Sequence, residues 1–437
     1  MDNRPVVTII GGGLAGSEAA HQAARAGCRV VIHEMKPEKL SPAHLLDTLC
    51  ELVCSNSLKS MDLANASGLL KEEMRMAGSI ILEAADETSV PAGKTLAVDR
   101  KAFSSLVTEK LKAAGVEVLP GEITDIPSVR PVIIATGPLT SDAFAPAIQR
   151  LIGKESLHFY DAVAPIVYKE SIDMHRAFMA SRWGKGTDDY INCPFDKEDY
   201  ERFYEALITA DKVTRREFED AASFEGCMPI EVMASRGPKT LLFGPMRPVG
   251  LTDPATGRRP YAVVQLRAEN AEGTLYNIVG FQTRLTYTEQ KKVFRLIPGL
   301  EAAEFARLGK LHRNSYIDSP GLLDATGALK GAPGVFFAGQ ITGVEGYCES
   351  AASGILAGIN AARTTAGLAP VAPPPTTMTG ALLAHISTMP DKKKRFEPMN
   401  ANMGLLPALP GKDRREAQVK RALEDFRSWI DRFACNI

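Results

Sequence analysis

The sequence predicts an α/β protein in which a domain built on a parallel sheet is divided into two chain segments by an inserted α+β domain. Three observations predict this fold class. A buried strand, a glycine-rich turn and a helix follow one another in residues 5–26. Two short apolar runs that end near glycines, at 132–137 and 334–340, have the character of further strands of the same sheet. The sequence between those runs differs, with Trp183, several other aromatic side chains and a stretch of mixed charge.

The bulk composition limits the classes of function. A chain of 437 residues is too long for one simple core, so we expect two domains. Its net charge of −1 argues against attraction to nucleic acid over the whole surface, but it is compatible with a local basic patch. Seven cysteines, of which only Cys50 and Cys54 are close in sequence, indicate free thiols in a reducing, cytoplasmic environment and no metal site. We also expect neither a signal peptide nor a membrane-spanning helix.

The first 34 residues carry a dinucleotide-binding fingerprint. Residues 5–10 are rich in β-branched side chains, as in a strand buried on both faces. A helix-forming stretch follows at 17–26, and a second strand at 29–33 ends at Glu34. The six residues between the first strand and the helix fit the pattern G-x-G-x-x-G: Gly11, Gly12, Gly13, Leu14, Ala15 and Gly16.

Each part of this fingerprint has a physical role. The glycines permit a tight turn and let the backbone approach a pyrophosphate, and the helix N-terminus supplies N–H groups and positive dipole for that anion. Glu34 lies 21 residues beyond Gly13, where a carboxylate accepts hydrogen bonds from a ribose. The sequence therefore predicts that these residues bind a dinucleotide.

Later segments favour FAD over NAD as that dinucleotide. Residues 132–137 are typical of the strand by which flavoproteins return to the nucleotide domain. Residues 334–340 resemble the second FAD strand, although Gln340 stands where an aspartate is usual. A helix of small residues, which can approach a flavin or a pyrophosphate closely, follows within 343–354. The candidate FAD contacts in these segments are Thr136, Gly137, Gly339, Gln340, Gly346 and Tyr347.

The FAD elements lie towards both ends of the chain. We therefore predict a discontinuous Rossmann-like FAD-binding domain of the glutathione-reductase type, formed by residues 1–161 and 324–437. The inserted α+β domain, residues 162–323, is expected to bind the substrate.

Several smaller elements are also predicted. Within the insert, residues 196–219 have the charge pattern of a helix, while 240–243 and 262–266 have the apolar character of strands. After the last FAD element, residues 370–375 form a proline-rich linker that is expected to be extended, and residues 412–433 are expected to form a helix.

Two cysteines have sequence contexts that suit chemistry. Cys54 stands among residues that cap helices and turns, which predicts a position near a helix start, where the helix dipole favours a thiolate. Cys227 follows glycine and precedes proline by two residues, a context for an exposed turn. Because a free cysteine is more often a small buried hydrophobic residue, neither context alone assigns a catalytic role.

Taken together, these segments resemble the folate- and FAD-dependent tRNA (uracil-5-)-methyltransferases of bacteria. The glycine fingerprint belongs to many flavoproteins, whereas the surroundings of Cys54 and Cys227 are specific to this family. A sister family that modifies the tRNA wobble uridine shares residues 343–347 but has a further large helical C-terminal domain. The matching segments cover nearly the whole chain: 11–34, 51–60, 225–234, 243–251, 276–283, 339–349 and 398–405.

The resemblance implies a reaction. The family methylates C5 of the T-loop uridine at position 54 of tRNA, with methylenetetrahydrofolate as the carbon donor and NADPH or NADH as the reductant. Uracil C5 becomes nucleophilic when a thiolate adds to C6, and a base must then remove the C5 proton; cysteine can fill either role. We assign Cys227 as the bond-forming thiolate and Cys54 as the base or partner thiol, and the sequence leaves the two roles interchangeable.

Two other functions stay open on the sequence alone. The balanced charge suits an FAD-dependent oxidoreductase of a small metabolite, without RNA. Residues 343–347 also suit a tRNA wobble-uridine modification flavoprotein or a noncatalytic tRNA-binding flavoprotein. In favour of RNA are basic residues that suit phosphate contacts, although such runs more often form a solvated surface: Arg215, Arg216, Arg258, Arg259 and the tracts at 392–395 and 412–421.

Overall fold

The computed structural model describes residues 4–154, 157–184, 187–213, 228–389, 396–410 and 414–433. Its strands are β1 Val6–Ile10, β2 Arg29–Glu34, β3 Ser57–Ser60, β4 Ser89–Val90, β5 Thr95–Val98, β6 Glu117–Pro120, β7 Val132–Ile134, β8 Leu157–Ala162, β9 Ile166–Tyr168, β10 Phe178–Met179, β11 Tyr190–Phe195, β12 Ala262–Ala268, β13 Leu275–Ile278, β14 Phe305–Arg307, β15 Leu311–Tyr316 and β16 Val335–Phe337. Its helices are α1 Leu14–Arg25, α2 Ala66–Met76, α3 Ile80–Glu87, α4 Arg100–Ala113, α5 Ala145–Ile152, α6 Lys197–Thr209, α7 Ile230–Ser235, α8 Thr240–Phe243, α9 Tyr287–Phe294, the single turn α10 Ser319–Leu322, α11 Tyr347–Thr365, α12 Met378–Ser387 and α13 Arg414–Phe433.

A five-stranded parallel sheet forms the centre of the nucleotide domain and confirms the predicted fold class. Its strand order is β16-β7-β1-β2-β6, and each neighbouring pair is parallel. Val7 and Ile9 of β1 are fully buried, as expected for a strand covered on both faces. Because β1 is the middle strand, its carboxyl end and the start of α1 lie at the centre of one sheet edge, where α/β proteins bind ligands.

Helices α1 and α11 pack closely on one face of this sheet. A Cβ added to Gly354 would overlap the carbonyl oxygen of Ala15, and a Cβ added to Gly358 would overlap that of Ala19. Only glycine at these two positions lets α11 approach the α1 backbone. The glycine turn before α1 is therefore held against the C-terminal part of the chain.

The inserted region is built on a six-stranded antiparallel sheet in the order β10-β11-β12-β13-β9-β14. Its core contains the aromatic side chains of Phe203, Phe281 and Phe294, which are fully buried. The chain enters this region through β8 and leaves it through β15, and these two strands pair with each other. The antiparallel pair thus joins the two sheets.

The structure corrects one predicted strand and shortens one predicted helix. Residues 262–266 lie in β12 as predicted, but 240–243 form helix α8 rather than a strand. A short apolar run does not distinguish the two, and here Leu241 is buried while Phe243 is 81% exposed. The helix predicted at 196–219 ends at Thr209, and its positions from 214 onward lie outside the described residues.

The C-terminal part packs on the nucleotide domain. Residues 370–375 have no regular secondary structure, but they are bound to α11, because the Asn360 side chain exchanges hydrogen bonds with the Val371 backbone at 2.8 and 2.9 Å. Helix α12, which the sequence did not indicate, follows, and α13 occupies the predicted C-terminal helix. Among the described residues, no helix combines the length and apolar character needed to cross a membrane.

Two buried glutamates connect helices within the nucleotide domain. Glu18 of α1 accepts a hydrogen bond from the Ile81 N–H at the start of α3. Glu73 of α2 accepts hydrogen bonds from the Met378 and Thr379 N–H groups at the start of α12. Burial raises the pKa of each carboxyl from 4.5 to about 7, although these hydrogen bonds oppose the shift.

The raised pKa values predict that the free energy of unfolding falls as the pH rises from about 4.5 to about 7. In this interval the folded protein retains protons that the unfolded chain releases, so each carboxyl contributes full stability below 4.5 and loses it as the pH rises through 7. The loss is on the order of 3 kcal/mol for one carboxyl.

Urea unfolding at several pH values checks this expectation. In Glu18→Gln the side-chain oxygen still accepts from the Ile81 N–H, and the amide nitrogen takes the place of Glu18 Oε2, which has no hydrogen-bond partner. The free energy of unfolding should therefore fall less between pH 4.5 and 7 in this variant than in the wild type. The exposed Glu109→Gln on α4 is the control and should follow the wild type. An unchanged decline in Glu18→Gln would show that this carboxyl does not retain its proton in the folded state.

Candidate active site

A groove at the carboxyl end of β1 brings together most of the residues predicted to bind FAD. Its volume is about 1090 Å³, including space open to solvent. The predicted residues that line it are Gly11, Gly13, Leu14, Ala15, Glu34, Thr136, Gly137, Gly339, Gln340 and Tyr347. Gly12 and Gly16 shape the turn without lining the groove, and Gly346 lines an adjoining cavity instead.

Three glycines of the turn differ in what surrounds them. Gly11 has φ +97°, and a Cβ there would lie 2.6 Å from the Ala135 carbonyl oxygen. A Cβ on Gly16 would overlap the Gly11 carbonyl oxygen, so both glycines are required by the turn itself. Gly13 lines the groove, and a Cβ on this residue would enter open space because it would meet no other atom within 4 Å. The space beside Gly13 is therefore available to a ligand.

The start of α1 is free to bind an anion. Gly13 is the N-cap residue and supplies no side-chain hydrogen bond to the first turn. The N–H groups of that turn and the positive end of the helix dipole face the same region as Gly13. These features fit the phosphates of a dinucleotide such as FAD.

Glu34 is held in the position predicted for a ribose acceptor. Its Oε2 accepts a hydrogen bond of 2.7 Å from the Gly12 N–H, and its Oε1 accepts one of 3.1 Å from the Lys36 N–H. The side chain is buried and lines the groove. Each carboxylate oxygen can accept a further hydrogen bond, so the contacts to Gly12 and Lys36 orient Glu34 for a ribose without occupying it fully.

A second cavity adjoins the groove and lies between the nucleotide domain and the insert. Its volume is about 1370 Å³, including space open to solvent. The residues that line both spaces are Val53, Pro138, Leu139, Gln340 and Tyr347. The polar and charged side chains of the second cavity include those of Cys54, Lys59, Arg267, Asn277 and Glu349. A ligand in the groove and a ligand in this cavity would therefore meet near Tyr347.

Cys54 lines the second cavity, but the prediction that it stands near a helix start is wrong. It lies in a bend three residues before the start of β3, and helix α2 begins only at Ala66. The polar residues around it serve the turn instead, since the Ser55 hydroxyl accepts a hydrogen bond of 3.0 Å from the Ser57 N–H. The thiol is partly exposed and lies 3.9 Å from the Ala162 carbonyl oxygen.

Tyr347 fixes the backbone at Cys54. Its hydroxyl oxygen accepts hydrogen bonds from the Cys54 N–H at 2.8 Å and from the Ser55 N–H at 3.1 Å. Burial raises the pKa of Tyr347 well above its usual value, so the phenol is neutral. Tyr347 thus contacts the Cys54 segment as well as lining the predicted FAD groove.

Three arginines hold the same segment from other parts of the chain. Arg100 donates to the Leu52 carbonyl oxygen at 2.5 Å, Arg267 to the Asn56 side chain at 3.0 Å and Arg307 to the Val53 carbonyl oxygen at 3.0 Å. Arg100 and Arg307 are close enough to the Cys54 side chain to interact with it electrostatically. Burial lowers the pKa of Arg267 and of Arg307. Arg100 is itself paired with the buried carboxylate of Glu269 at 2.7 Å, so the three arginines and this one carboxylate leave an excess of positive charge around the segment.

Lys59 and Glu349 form an ion pair in the wall of the cavity. Their Nζ and Oε1 atoms are 3.0 Å apart, and the Glu349 side chain is only 1% exposed. Burial disfavours the Lys59 charge, but Glu349 outweighs this effect and raises the pKa of Lys59. A Cβ on Gly346, whose φ is +119°, would overlap Glu349 Oε2, an oxygen without a hydrogen-bond partner among the described residues. Gly346 therefore makes room for this carboxylate.

The other cysteines of the described chain are buried. Burial raises the pKa of Cys50 to about 12 and that of Cys348 to about 11, so both are thiols near neutral pH. Cys54 is the one described cysteine with a partly exposed side chain. Cys227 lies outside the described residues, but Ile230, three positions later, donates its N–H to the carbonyl oxygen of Gln282, which lines the Cys54 cavity.

The predicted basic contacts are described only in part. Arg258 and Arg259 are exposed, whereas Arg215, Arg216 and the tract at 392–395 lie outside the described residues. No cluster of three or more His, Cys, Asp and Glu side chains suited to a metal occurs in the described part of the chain.

Sequence and structure comparisons relate the chain to known proteins. The family model of glucose inhibited division protein A matches residues 6–369. The chain is 59% identical over 430 residues to a methylenetetrahydrofolate–tRNA-(uracil-5-)-methyltransferase TrmFO of Geobacter sulfurreducens, covering 97% of this chain and 98% of that protein. The TrmFO of Moorella thermoacetica is 59% identical over 428 residues, again with 97% and 98% covered. Among solved structures, GidA of Aquifex aeolicus has the same fold, with a TM-score of 0.71, 19% identity and coverage of 98% of this chain and 73% of that one.

The contrast between two glycines of the turn predicts different effects of the same substitution. Gly13→Val should leave the stability of the cofactor-free protein close to that of the wild type, because its side chain would enter open space. It should abolish FAD binding, because that space is the predicted path of the pyrophosphate. Gly16→Val should lower stability itself, because its side chain would overlap the Gly11 backbone.

Flavin absorbance and thermal unfolding of the cofactor-free proteins separate these effects. We expect Gly13→Val to lack flavin with a wild-type Tm, and Gly16→Val to lack flavin with a reduced Tm. Stoichiometric FAD in Gly13→Val would contradict the assignment of the groove.

Proposed function

Since the chain belongs to the glucose inhibited division protein A family, and within it to the methylenetetrahydrofolate–tRNA-(uracil-5-)-methyltransferases, we propose that it methylates C5 of the uridine at position 54 in the T-loop of tRNA. Methylenetetrahydrofolate donates the carbon, FAD is the bound cofactor, and NADPH or NADH supplies the electrons. The observation that carries this proposal is the partly exposed thiol of Cys54, in a cavity that opens from the groove of the glycine turn.

The residues of the groove fit FAD. Gly13 leaves open space at the start of α1, and Glu34 is oriented for a ribose. When bound, FAD supplies the redox chemistry by which a transferred one-carbon unit becomes a methyl group. The protein's own part is to hold the dinucleotide along this groove and to limit its contact with water.

Activation of the uracil is the task of the cysteines. C5 of uracil is a weak nucleophile, but addition of a thiolate to C6 places negative charge on C5 and the adjacent carbonyl, so that C5 attacks the one-carbon unit. Removal of the C5 proton and departure of the thiolate then restore the C5=C6 double bond of the uracil and the free cysteine. Cys227 supplies the thiolate and Cys54 accepts the proton or assists as the partner thiol.

The surroundings of Cys54 suit this chemistry. The two backbone hydrogen bonds to Tyr347 fix the position of the thiol, and the phenol stays neutral at physiological pH. Arg100 is paired with Glu269, so the guanidinium groups of Arg267 and Arg307 give the Cys54 segment its excess positive charge, which would stabilise an enolate anion bound beside it. Both effects operate before any substrate arrives, so they require no rearrangement during the reaction.

The cellular setting follows from the substrate. A tRNA-modifying enzyme with unpaired cysteines functions in a reducing compartment, and we assign this one to the cytoplasm.

Nucleoside analysis of tRNA provides the test of this function. An unmodified tRNA transcript is incubated with the protein, labelled methylenetetrahydrofolate and NADPH, and then digested. We expect labelled 5-methyluridine at position 54, and its loss when position 54 is changed to cytidine. A protein that contains FAD and oxidises NADPH but leaves the tRNA unlabelled would support the metabolite oxidoreductase instead.

The same assay tests the cysteines. Cys227→Ala and Cys54→Ala should each lower the rate by about a hundredfold or more, with normal FAD content, because each removes a group that reacts with the base. Cys193→Ala, a buried cysteine of β11 away from the cavity, is the matched control and should remain active. Near-wild-type rates in both Cys54→Ala and Cys227→Ala would show that these cysteines are structural.

A further inference from the structure

The surface beside the Cys54 cavity carries an excess of positive charge that the proposed chemistry does not use. Residues 236–259 contain five basic side chains and one acidic side chain, Asp253, in a chain whose net charge is −1. The Asp253 carboxylate accepts hydrogen bonds from the turn that follows it. Arg247, Arg258 and Arg259 are exposed, and none of these arginine side chains forms a salt bridge within the described ranges.

Arg182 lies close to the chain segment that carries Arg247, because it donates to the carbonyl oxygen of Val249, two residues later. The Arg182 guanidinium donates hydrogen bonds of 2.8 Å to the Gln265 side chain and 2.8 Å to the Val249 carbonyl oxygen, both neutral acceptors. Burial lowers the pKa of Arg182, and the charge of Arg247 lowers it further. Two cations held near each other without a carboxylate form a site for an anion, and arginine matches phosphate geometry well.

Two large aromatic side chains are exposed on the same surface. Phe243 is 81% exposed and Trp183 is 65% exposed. Trp183 has φ +63°, a conformation that bulky residues rarely adopt, and its backbone N–H donates to the Gly250 carbonyl oxygen at 2.8 Å. Its ring lies against Gly250, where a Cβ would approach to 2.8 Å. The backbone thus holds the indole outward although water surrounds most of it.

This surface is continuous with the Cys54 cavity. Pro245 packs against Gly280, which lines the cavity, and no Cβ fits between them. The side chain of Gln265 binds Arg182, and its backbone carbonyl oxygen accepts a hydrogen bond from the N–H of Val279, another residue of the cavity wall. A chain that places one base in the cavity would therefore pass over the neighbouring surface.

We propose that an RNA-docking face is formed by Arg182, Trp183, Phe243 and Arg247. This face holds the RNA strand next to the target uridine, and Arg258 and Arg259 extend it. Arg182 and Arg247 bind backbone phosphate, and the exposed rings stack on unpaired bases of the loop. This proposal rests on the proposed function, because it treats the Cys54 cavity beside the docking face as the site that binds the target uridine. Because the charge is local, a protein with a net charge of −1 can still bind RNA in a salt-dependent way.

Binding of an unmodified tRNA transcript to the FAD-loaded protein, measured over a range of salt concentrations, tests the face. Arg247→Glu and Phe243→Ala should each raise Kd by about tenfold, and Arg247→Glu should also reduce the salt slope by about 1. Arg247→Lys should recover part of the affinity. The double variant Lys101→Glu/Lys112→Glu, at exposed positions of α4, is the control and should bind like the wild type.

A contact with Trp183 can be observed directly, because the chain has only two tryptophans. The other, Trp429, is buried in α13. Trp429→Phe leaves Trp183 as the sole tryptophan reporter, and acrylamide should quench its fluorescence freely in the protein alone. Bound tRNA should reduce that quenching at least about threefold, because a stacked base covers the ring.

The outcomes separate the docking face from the proposed function. Normal FAD content and a wild-type Tm in each variant establish that folding is intact. If the wild type methylates tRNA while Arg247→Glu and Phe243→Ala bind with unchanged Kd, the face is overturned and the function stands. Unchanged quenching of Trp183 by bound tRNA likewise overturns the stacking. If the wild type neither methylates nor binds tRNA, the proposed function fails, and the docking face fails with it.

Discussion

Residues 52–56 form the segment on which the site depends, because both parts of the protein hold it by hydrogen bonds. The hydroxyl oxygen of Tyr347, at the start of α11, accepts hydrogen bonds from the N–H groups of Cys54 and Ser55. Arg267 donates from the insert to Asn56, whose amide donates to one backbone carbonyl in each domain. Ordering an irregular segment costs about 1–2 kcal/mol per residue, and each hydrogen bond returns about 1 kcal/mol, so several are needed to hold it. Together these hydrogen bonds hold the Cys54 thiol in one position, between the groove and the cavity.

This arrangement explains how one site can serve two very different ligands. A dinucleotide lies along rigid elements, the carboxyl end of β1 and the start of α1, which are held by the close approach of α11 at Gly354 and Gly358. A macromolecular substrate must reach the same centre from outside, and the cavity adjoins the surface that bears Arg182 and Phe243 through Val279 and Gly280. Ligands in the two spaces would meet beside Tyr347, which lines both spaces and whose hydroxyl group holds the Cys54 backbone. Position and chemistry are therefore set by the same few contacts.

The parts of this account that the sequence predicted are those made by neighbours along the chain. The glycine turn, Glu34 and the strands of the parallel sheet follow from local pattern, because each is specified by steric or hydrogen-bonding needs within a few residues. The position of Cys54 was predicted wrongly, since serine and asparagine serve turns as well as helix caps. The arginines that hold its segment were not found at all: Arg100, Arg267 and Arg307 contact residues 48, 211 and 254 positions away. No local spacing indicates such contacts, which depend on how the two sheets pack.

Hydrogen exchange of the Cys54 segment in Tyr347→Phe tests the central claim most directly. The substitution retains the ring in the walls of both spaces and removes only the oxygen that accepts the Cys54 and Ser55 N–H groups. Exchange in a peptide that contains residues 52–56 should become about tenfold faster, with FAD content preserved and tRNA methylation slowed. Tyr204→Phe, which removes a phenol hydrogen bond to the Ala234 carbonyl oxygen in the insert, should leave that exchange unchanged. Wild-type protection of residues 52–56 in Tyr347→Phe would show that the segment does not depend on this contact and would contradict the account.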